Sequence, residues 1–298
     1  MGSNFTISVV CENSKDADQA ITTAVEEITR IERLISSWDD QSSTSAVNRM
    51  AGLQAVPVDS ELMGLIERAQ RLSILTNGAF DITYASMDRI WKFDGSVTVL
   101  PSKEEIKSSI SKVGFNKIVL DKDNGTVFLK EKGMKIGFGA IGKGYAADQA
   151  MKLLKSMGIQ AGIINASGDL NAWGKQPDGS DWNIAITNPL NKTKAFGVLP
   201  ISNRSMATSG NYEKFLTIEG KRYAHIIDPR TGYPTSGIVS VSIFAHKAEL
   251  ADALATSVFV MGIETGLNLI NQIPDVECII VDESGQLFTS ENLKIDTL

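Results

Sequence analysis

A chain of 298 residues, 43% hydrophobic and 21% charged, has the composition of an ordinary globular protein, with apolar material for one large domain or two intimate ones. Its net charge of −6, without any Lys/Arg cluster, argues against non-specific nucleic-acid binding. No apolar run reaches the roughly 18 residues a membrane-spanning helix needs.

Met1-Gly2-Ser3 resembles an expression scar, which leaves any native leader unread. Residues 5–11 alternate like a strand, and 16–37 place Ile21, Ala24, Ile28, Ile31 and Ile35 on one helical face. A second helix is predicted over 59–76, capped by Asp59 or Ser60 and ended by Asn77-Gly78. Ser102 is the expected N-cap of a third. Residues 118–120 and 126–129 flank Asp121-Lys122-Asp123-Asn124-Gly125, a hairpin signal. A helix over 141–157 follows a glycine turn, and 162–241 reads mostly as short strands. Helices return at 247–261 and 264–272, before strands at 277–281 and 287–290. The expected class is α+β, without an internal repeat. Cys11 and Cys278 match no metal or redox spacing, leaving two readings open: buried thiols or one disulfide.

The most informative stretch is 135–148, Lys-Ile-Gly-Phe-Gly-Ala-Ile-Gly-Lys-Gly-Tyr-Ala-Ala-Asp. Unpaired N–H groups at a helix start, beside Lys143, suit an anion such as phosphate. Gly137, Gly139 and Gly142 satisfy G-x-G-x-x-G, but the next strand runs into Ala166-Ser167-Gly168 before any acid that could hold a ribose. The stretch also satisfies G-x-x-x-x-G-K, yet position 144 is Gly where a P-loop needs a hydroxyl on magnesium. The bland alternative is a tight strand-to-helix turn.

Ala251-Asp252-Ala253-Leu254-Ala255-Thr256 puts an acid and a hydroxyl one turn apart on an otherwise apolar face, so Asp252 is expected to be at least partly buried. A buried carboxylate needs a cation or several donors, and Mg²⁺ would satisfy Asp252 and Thr256 together. The plain alternative is a capping or salt-bridged Asp252. Asn165-Ala166-Ser167-Gly168-Asp169, Met206 to Tyr212, and the rigid turn in Ala224-His225-Ile226-Ile227-Asp228-Pro229-Arg230-Thr231-Gly232-Tyr233-Pro234 complete the set of polar interruptions.

Taken in order, these segments resemble the ApbE-type flavin transferases. The resemblance covers nearly the whole chain, from Ile35-Ser36-Ser37-Trp38 and Ser45-Ala46-Val47-Asn48, through Gly78-Ala79-Phe80-Asp81, Ala-Thr-Ser-Gly-Asn-Tyr and His-Ile-Ile-Asp-Pro-Arg-Thr-Gly-Tyr-Pro, to the segment around Asp252. It implies a single ApbE-like domain over 1–298, with mixed and antiparallel sheets, packed helices and an FAD cleft between sub-lobes. The implied enzyme is Mg²⁺-dependent. It moves FMN from FAD to a threonine or serine of an acceptor flavoprotein subunit of a membrane redox complex, and AMP leaves. Some relatives instead hydrolyse FAD to FMN and AMP. The implied location is the periplasmic side of the inner membrane, with a lipid anchor on the native precursor.

By the same match the metal falls to Asp252, Thr256 and the carbonyl of Ala140. Trp38, Ala79, Phe80, Asp81, Gly137, Lys143, Thr208, His225 and Ile227 fall to FAD. Two departures stand out. Gly137 takes the place of an Asp thought to contact FAD, and Ala255 falls where some members carry another acid.

Displacement at a pyrophosphate phosphorus builds charge on non-bridging oxygens and on the leaving phosphate. A divalent ion, helix N–H groups and Lys143 would answer that charge. The partner supplies the nucleophilic hydroxyl, so no Ser-His-Asp set is needed. His225 is the candidate base or orienting group, with a metal-side carboxylate as rival. Structural alternatives stand beside these: His225 as a hydrogen-bonded histidine, His246 at the surface, Trp38 as a core aromatic, and Thr208, Ser209, Asn211, Ser167 and Asp169 as turn-formers. Three functions therefore compete, namely FMN transfer, FAD pyrophosphatase and non-catalytic flavin binding.

Overall fold

The computed structural model describes residues 2–93, 99–187, 189, 195–211, 215–218 and 221–293; Tyr212, the last residue of the Ala-Thr-Ser-Gly-Asn-Tyr motif, lies outside them. The chain opens with β1 (Phe5–Val9) and α1 (Ser14–Ile35). The apolar stripe of α1 is where periodicity put it, with Ala24, Ile28, Ile31 and Ile35 buried. A short helix, α2 (Ser43–Arg49), follows; Ser42 caps it by accepting from Ser45 N at 2.9 Å. After β2 (Val56–Pro57), α3 (Ser60–Leu75) is capped by Asp59, which accepts from Leu62 N at 2.8 Å. It ends where Asn77 and Gly78 turn left-handed, at φ 48° and 75°.

A 3₁₀ turn, Ile82–Ser86, leads to α4 (Lys103–Ser109), whose start is a full capping box of Ser102 and Glu105. The expected hairpin is β3 (Ile118–Asp121) with β4 (Thr126–Leu129). Residues 134–138 join no sheet, although Met134, Ile136 and Phe138 are buried. The glycine turn then starts α5 (Gly142–Ser156). Strands follow as β5 (Gly162–Ala166), β6 (Asp169–Trp173), β7 (Trp182–Thr187), β8 (Ala195–Ile201), β9 (Arg204–Gly210), β10 (Phe215–Ile218), β11 (Lys221–Ala224) and β12 (Ile238–Ala245). The chain closes with α6 (Ala248–Met261), α7 (Ile263–Ile270), β13 (Glu277–Asp282) and β14 (Leu287–Thr289).

Two compact units result: Met1–Ile31, Ile141–Tyr212 and Gly237–Leu298 form the first, Glu32–Ala140 and Glu213–Ser236 the second. The first is built on a seven-stranded antiparallel sheet of order β1-β5-β6-β9-β12-β13-β14. One face packs on helices, with Ala20, Ala24 and Ile28 of α1, and Ala147, Ala150 and Leu154 of α5, against Ile164 and Trp173. The other face carries Leu170, Ala172, Met206, Phe244 and Ile279 beneath the β7–β8 hairpin, which adds Ile186 and Ile201. Covered on both sides, β12 is buried at every position, hence its continuous apolar and small-polar sequence. The second unit holds α2–α4, the β2-β4-β3 sheet and the β10–β11 hairpin. There Trp91, Ile106, Leu216, Ile218 and Ile227 form a core.

The class is α+β with antiparallel sheets. Both cysteines are free: Cys278 is buried, which pushes its thiol pKa up, and Cys11 is half-buried. The disulfide reading is thereby excluded.

Candidate active site

In the first unit the glycine turn delivers Lys143 into a pair of acids. The ammonium bonds the carboxylate of Asp169 and stands 3.8 Å from Oδ1 of Asp252. Both acids are buried, Asp169 at 1% and Asp252 at 4% exposure, whereas Lys143 is only partly so. Asp252 Oδ2 also accepts from Gly144 N at 3.2 Å, so the start of α5 points its N–H dipoles at the carboxylate. Burial pushes the Asp252 pKa up; the Lys143 charge and the N–H groups of Gly144 and Lys143 pull against it.

One turn further along α6, the Thr256 hydroxyl lies 3.1 Å from Ser209 Oγ on β9. Strand alternation sends the neighbouring Thr208 to the opposite face, where its hydroxyl is 2.8 Å from Ser242 Oγ. Thr208 and Ser209 thus sit in a strand ladder and not in the turn considered for them. Asp169, read as a turn-former, is the first residue of β6, just past a turn in which Ser167 and Gly168 have φ of 56° and 105°.

The donors gathered on this unit are a carboxylate and two hydroxyls, all hard oxygens of the kind Mg²⁺ takes. Among the described residues no group of three or more His, Cys, Asp and Glu is placed to hold a metal. An ion seated by Asp252 and Thr256 would therefore complete its shell with water and phosphate oxygens, as Mg²⁺ commonly does.

The second unit holds the remaining sequence-predicted residues. Trp38 is 78% exposed, with the Arg89 guanidinium carbon 4.5 Å from its ring centroid, which removes the core-aromatic reading. Ala79 and Phe80 are buried. Asp81 caps the 3₁₀ turn, accepting from Thr83 N and Oγ1 at 2.8 and 2.6 Å, while its other oxygen takes Phe115 N at 2.8 Å. Desolvation outweighs these bonds and raises its pKa.

Gly137 donates to Ile82 O at 2.9 Å, and a Cβ built on it would meet Ala85 Cβ at 3.0 Å and Ser37 Oγ at 3.5 Å. A side chain at 137 would need Ala85 to give by a few tenths of an ångström. His225 opens an irregular hairpin in which Ala224 N donates to Thr235 O, Asp228 N to Tyr233 O and Gly232 N to Asp228 O. Its ring meets Phe93 edge-on at 6.4 Å, and Ile227, buried, bridges to Pro234. Arg230 grips Asp228 through paired bonds of 2.9 and 2.8 Å. Ala140, half-buried, is the last residue of the unit before α5. His246 is exposed.

Comparison with known proteins identifies the family. The model of the ApbE family matches residues 1–280. The chain belongs to the ApbE family. An FAD:protein FMN transferase from Treponema pallidum (strain Nichols) is 31% identical over 287 residues, covering 90% of this chain and 79% of the relative. A crystal structure of the ApbE protein from Thermotoga maritima superposes with a TM-score of 0.87 at 32% identity, covering 97% of this chain and 94% of that one. The apo flavinyl transferase ApbE of Pseudomonas stutzeri gives 0.86 at 26% identity, covering 98% and 92%.

Within this ApbE fold, sequence reasoning singled out Lys143, Asp252 and Thr256 but missed Asp169 as the partner of Lys143, Ser209 as the partner of Thr256, and the Asp148–Asn171 pair. An acid at a strand start and a serine on a small-residue strand carry no periodic signal. Only the pairing of β9 with β6 and β12 brings them to the helices.

Proposed function

We propose that the chain transfers FMN from FAD to a threonine or serine hydroxyl of an acceptor flavoprotein, with Mg²⁺ as cofactor. The observation that carries this reading is the Asp252 carboxylate, held between the Lys143 ammonium and the start of α5, one turn before Thr256. It is supported by the transferase names of relatives that match along most of their length.

In this reading Asp252 and Thr256 would hold the ion, which would supply charge neutralisation at the diphosphate. Lys143 offers a point charge to a phosphate oxygen, exchanging part of its hold on Asp169, and the N–H groups opening α5 add donors. The acceptor oxygen forms a bond to the FMN phosphorus as the bond from that phosphorus to the AMP oxygen breaks. The hydroxyl proton goes to a base, a role assigned here to His225 on its hairpin. Trp38, exposed on the second unit, is a surface on which a flavin ring stacks. A periplasmic station at the inner membrane belongs to the same proposal; among the described residues no helix is long and apolar enough to cross a membrane.

The test is incubation with FAD, Mg²⁺ and an acceptor domain, followed by in-gel flavin fluorescence. A covalent fluorescent acceptor band is expected, and Asp252→Ala should abolish it. Release of FMN and AMP without any band would favour the pyrophosphatase. An Asp252→Ala enzyme as active as wild type would falsify the metal assignment.

A further inference from the structure

Helices α5 and α6 both begin without a side-chain cap of their own, since Ile141 and Lys247 occupy the cap positions and neither side chain accepts a bond. The first N–H groups of an α-helix need acceptors from elsewhere. Here each helix draws on the other. Asp252 of α6 takes Gly144 N of α5 at 3.2 Å, and Asp148 of α5 takes Ala248 N on Oδ1 and Glu249 N on Oδ2, each at 3.0 Å.

The exchange is possible because the two backbones touch. A Cβ on Gly144 would lie 2.2 Å from Ala248 O. Asp148 is itself aimed from the sheet: Asn171 Nδ2 donates to its Oδ1 at 2.8 Å, and Asn171 Oδ1 accepts from the Ser205 hydroxyl. No atom of Asp148 is needed for the chemistry, yet both of its oxygens are spent on the first turn of α6. A helix is stiff over two turns, so whatever fixes residues 248 and 249 also fixes the azimuth and height of Asp252 and Thr256.

We propose that Asp148 is a positioning residue: by clamping the start of α6 to α5, it holds Asp252 and Thr256 in the register in which they bind the divalent ion. This inference rests on the metal reading of Asp252 and Thr256, and the experiment separates the two.

Mn²⁺ is titrated into the full-length protein and free Mn²⁺ is read by electron paramagnetic resonance, with melting temperature measured alongside. Asp252→Ala serves as the control for the metal site and should lose binding. In Asp148→Asn, similar in size, an amide N–H₂ replaces one acceptor and opposes a backbone N–H. Its Mn²⁺ affinity should fall by about 10–100-fold, the usual effect of a group that orients a ligand. The Mg²⁺ needed for half-maximal transfer should rise in parallel, with kcat recovering at excess metal.

If Asp148→Asn melts lower but binds Mn²⁺ like wild type, Asp148 is merely structural and the inference falls while the metal site stands. If Asp252→Ala binds normally, or wild type binds no Mn²⁺, the metal reading itself fails. Should Asp148→Asn not fold, Asn171→Ala carries the test. That variant keeps both Asp148 oxygens but removes their orienting donor, so affinity should drop severalfold, and unchanged affinity overturns the proposal.

Discussion

Gly144 stands where two helices meet backbone to backbone, and two effects of a methyl group there oppose each other. In a solvent-exposed helix interior, alanine is favoured over glycine by about 1 kcal/mol. Here the added Cβ would sit 2.2 Å from Ala248 O and 2.7 Å from Glu249 N, a backbone collision that rotamers cannot relieve. Overpacking of that kind costs about 1–3 kcal/mol or more, so the collision wins. Gly144→Ala should lower the free energy of urea unfolding despite its better helix propensity, and an unchanged or raised value would refute the packing. The position also shows what sequence conveyed. Comparison with a P-loop marked residue 144 as lacking a magnesium-binding hydroxyl, but the reason for glycine is a helix beginning 104 residues later. Asp252 was legible because its face is apolar and Thr256 is one turn away; Asp169 and Asp148 were not, since their partners come from other elements.

At the scale of elements, the hairpin that carries His225 is braced from outside by an indole. Trp91, 5% exposed, donates Nε1–H to Gly232 O at 2.8 Å and lies against Tyr223 and Tyr233, with centroids 6.3 and 6.4 Å away. Trp91→Phe keeps an aromatic ring but strands the Gly232 carbonyl, at a cost of about 1–3 kcal/mol. The expected outcome is a lower urea midpoint with transfer slowed more than FAD binding is weakened. A midpoint equal to wild type would show that the indole does not hold the turn. Long periodic helices and punctuated strands, such as α1, α3, α5 and the β3–β4 pair, were readable because local pattern and burial agree. The Asp-Pro-Arg-Thr-Gly turn was also read correctly. By contrast α2 and the 3₁₀ turn went unseen. Each is about two turns or fewer, too short for a hydrophobic period, and each is made by a cap, Ser42 or Asp81, that resembles any loop polar residue.

Over the whole molecule, three carboxylates, Asp81 and Asp252 buried and Asp148 partly so, share one electrostatic condition. Desolvation raises the pKa of Asp81 in the second unit and of Asp148 and Asp252 in the first. A carboxyl whose pKa is raised on folding binds its proton more tightly in the folded chain than in the unfolded one. Its contribution to stability is therefore largest below the unfolded value, about 4, and is lost as pH rises through the folded pKa. Surface acids such as Glu67, Glu105 and Asp282, held low by side-chain and backbone donors, act in the opposite sense, and their contribution fades as pH falls. Wild-type stability alone mixes the two. Asp81→Asn separates them, because it removes one buried titration and leaves every surface acid in place. Urea unfolding of both proteins from pH 4 to 7 should show the advantage of wild type over the variant shrinking as pH rises. The amide costs the variant an acceptor for Thr83 or Phe115 at every pH, which offsets the two curves without tilting them. Parallel curves would mean that Asp81 has the same pKa folded and unfolded, and that its three donors fully offset its burial.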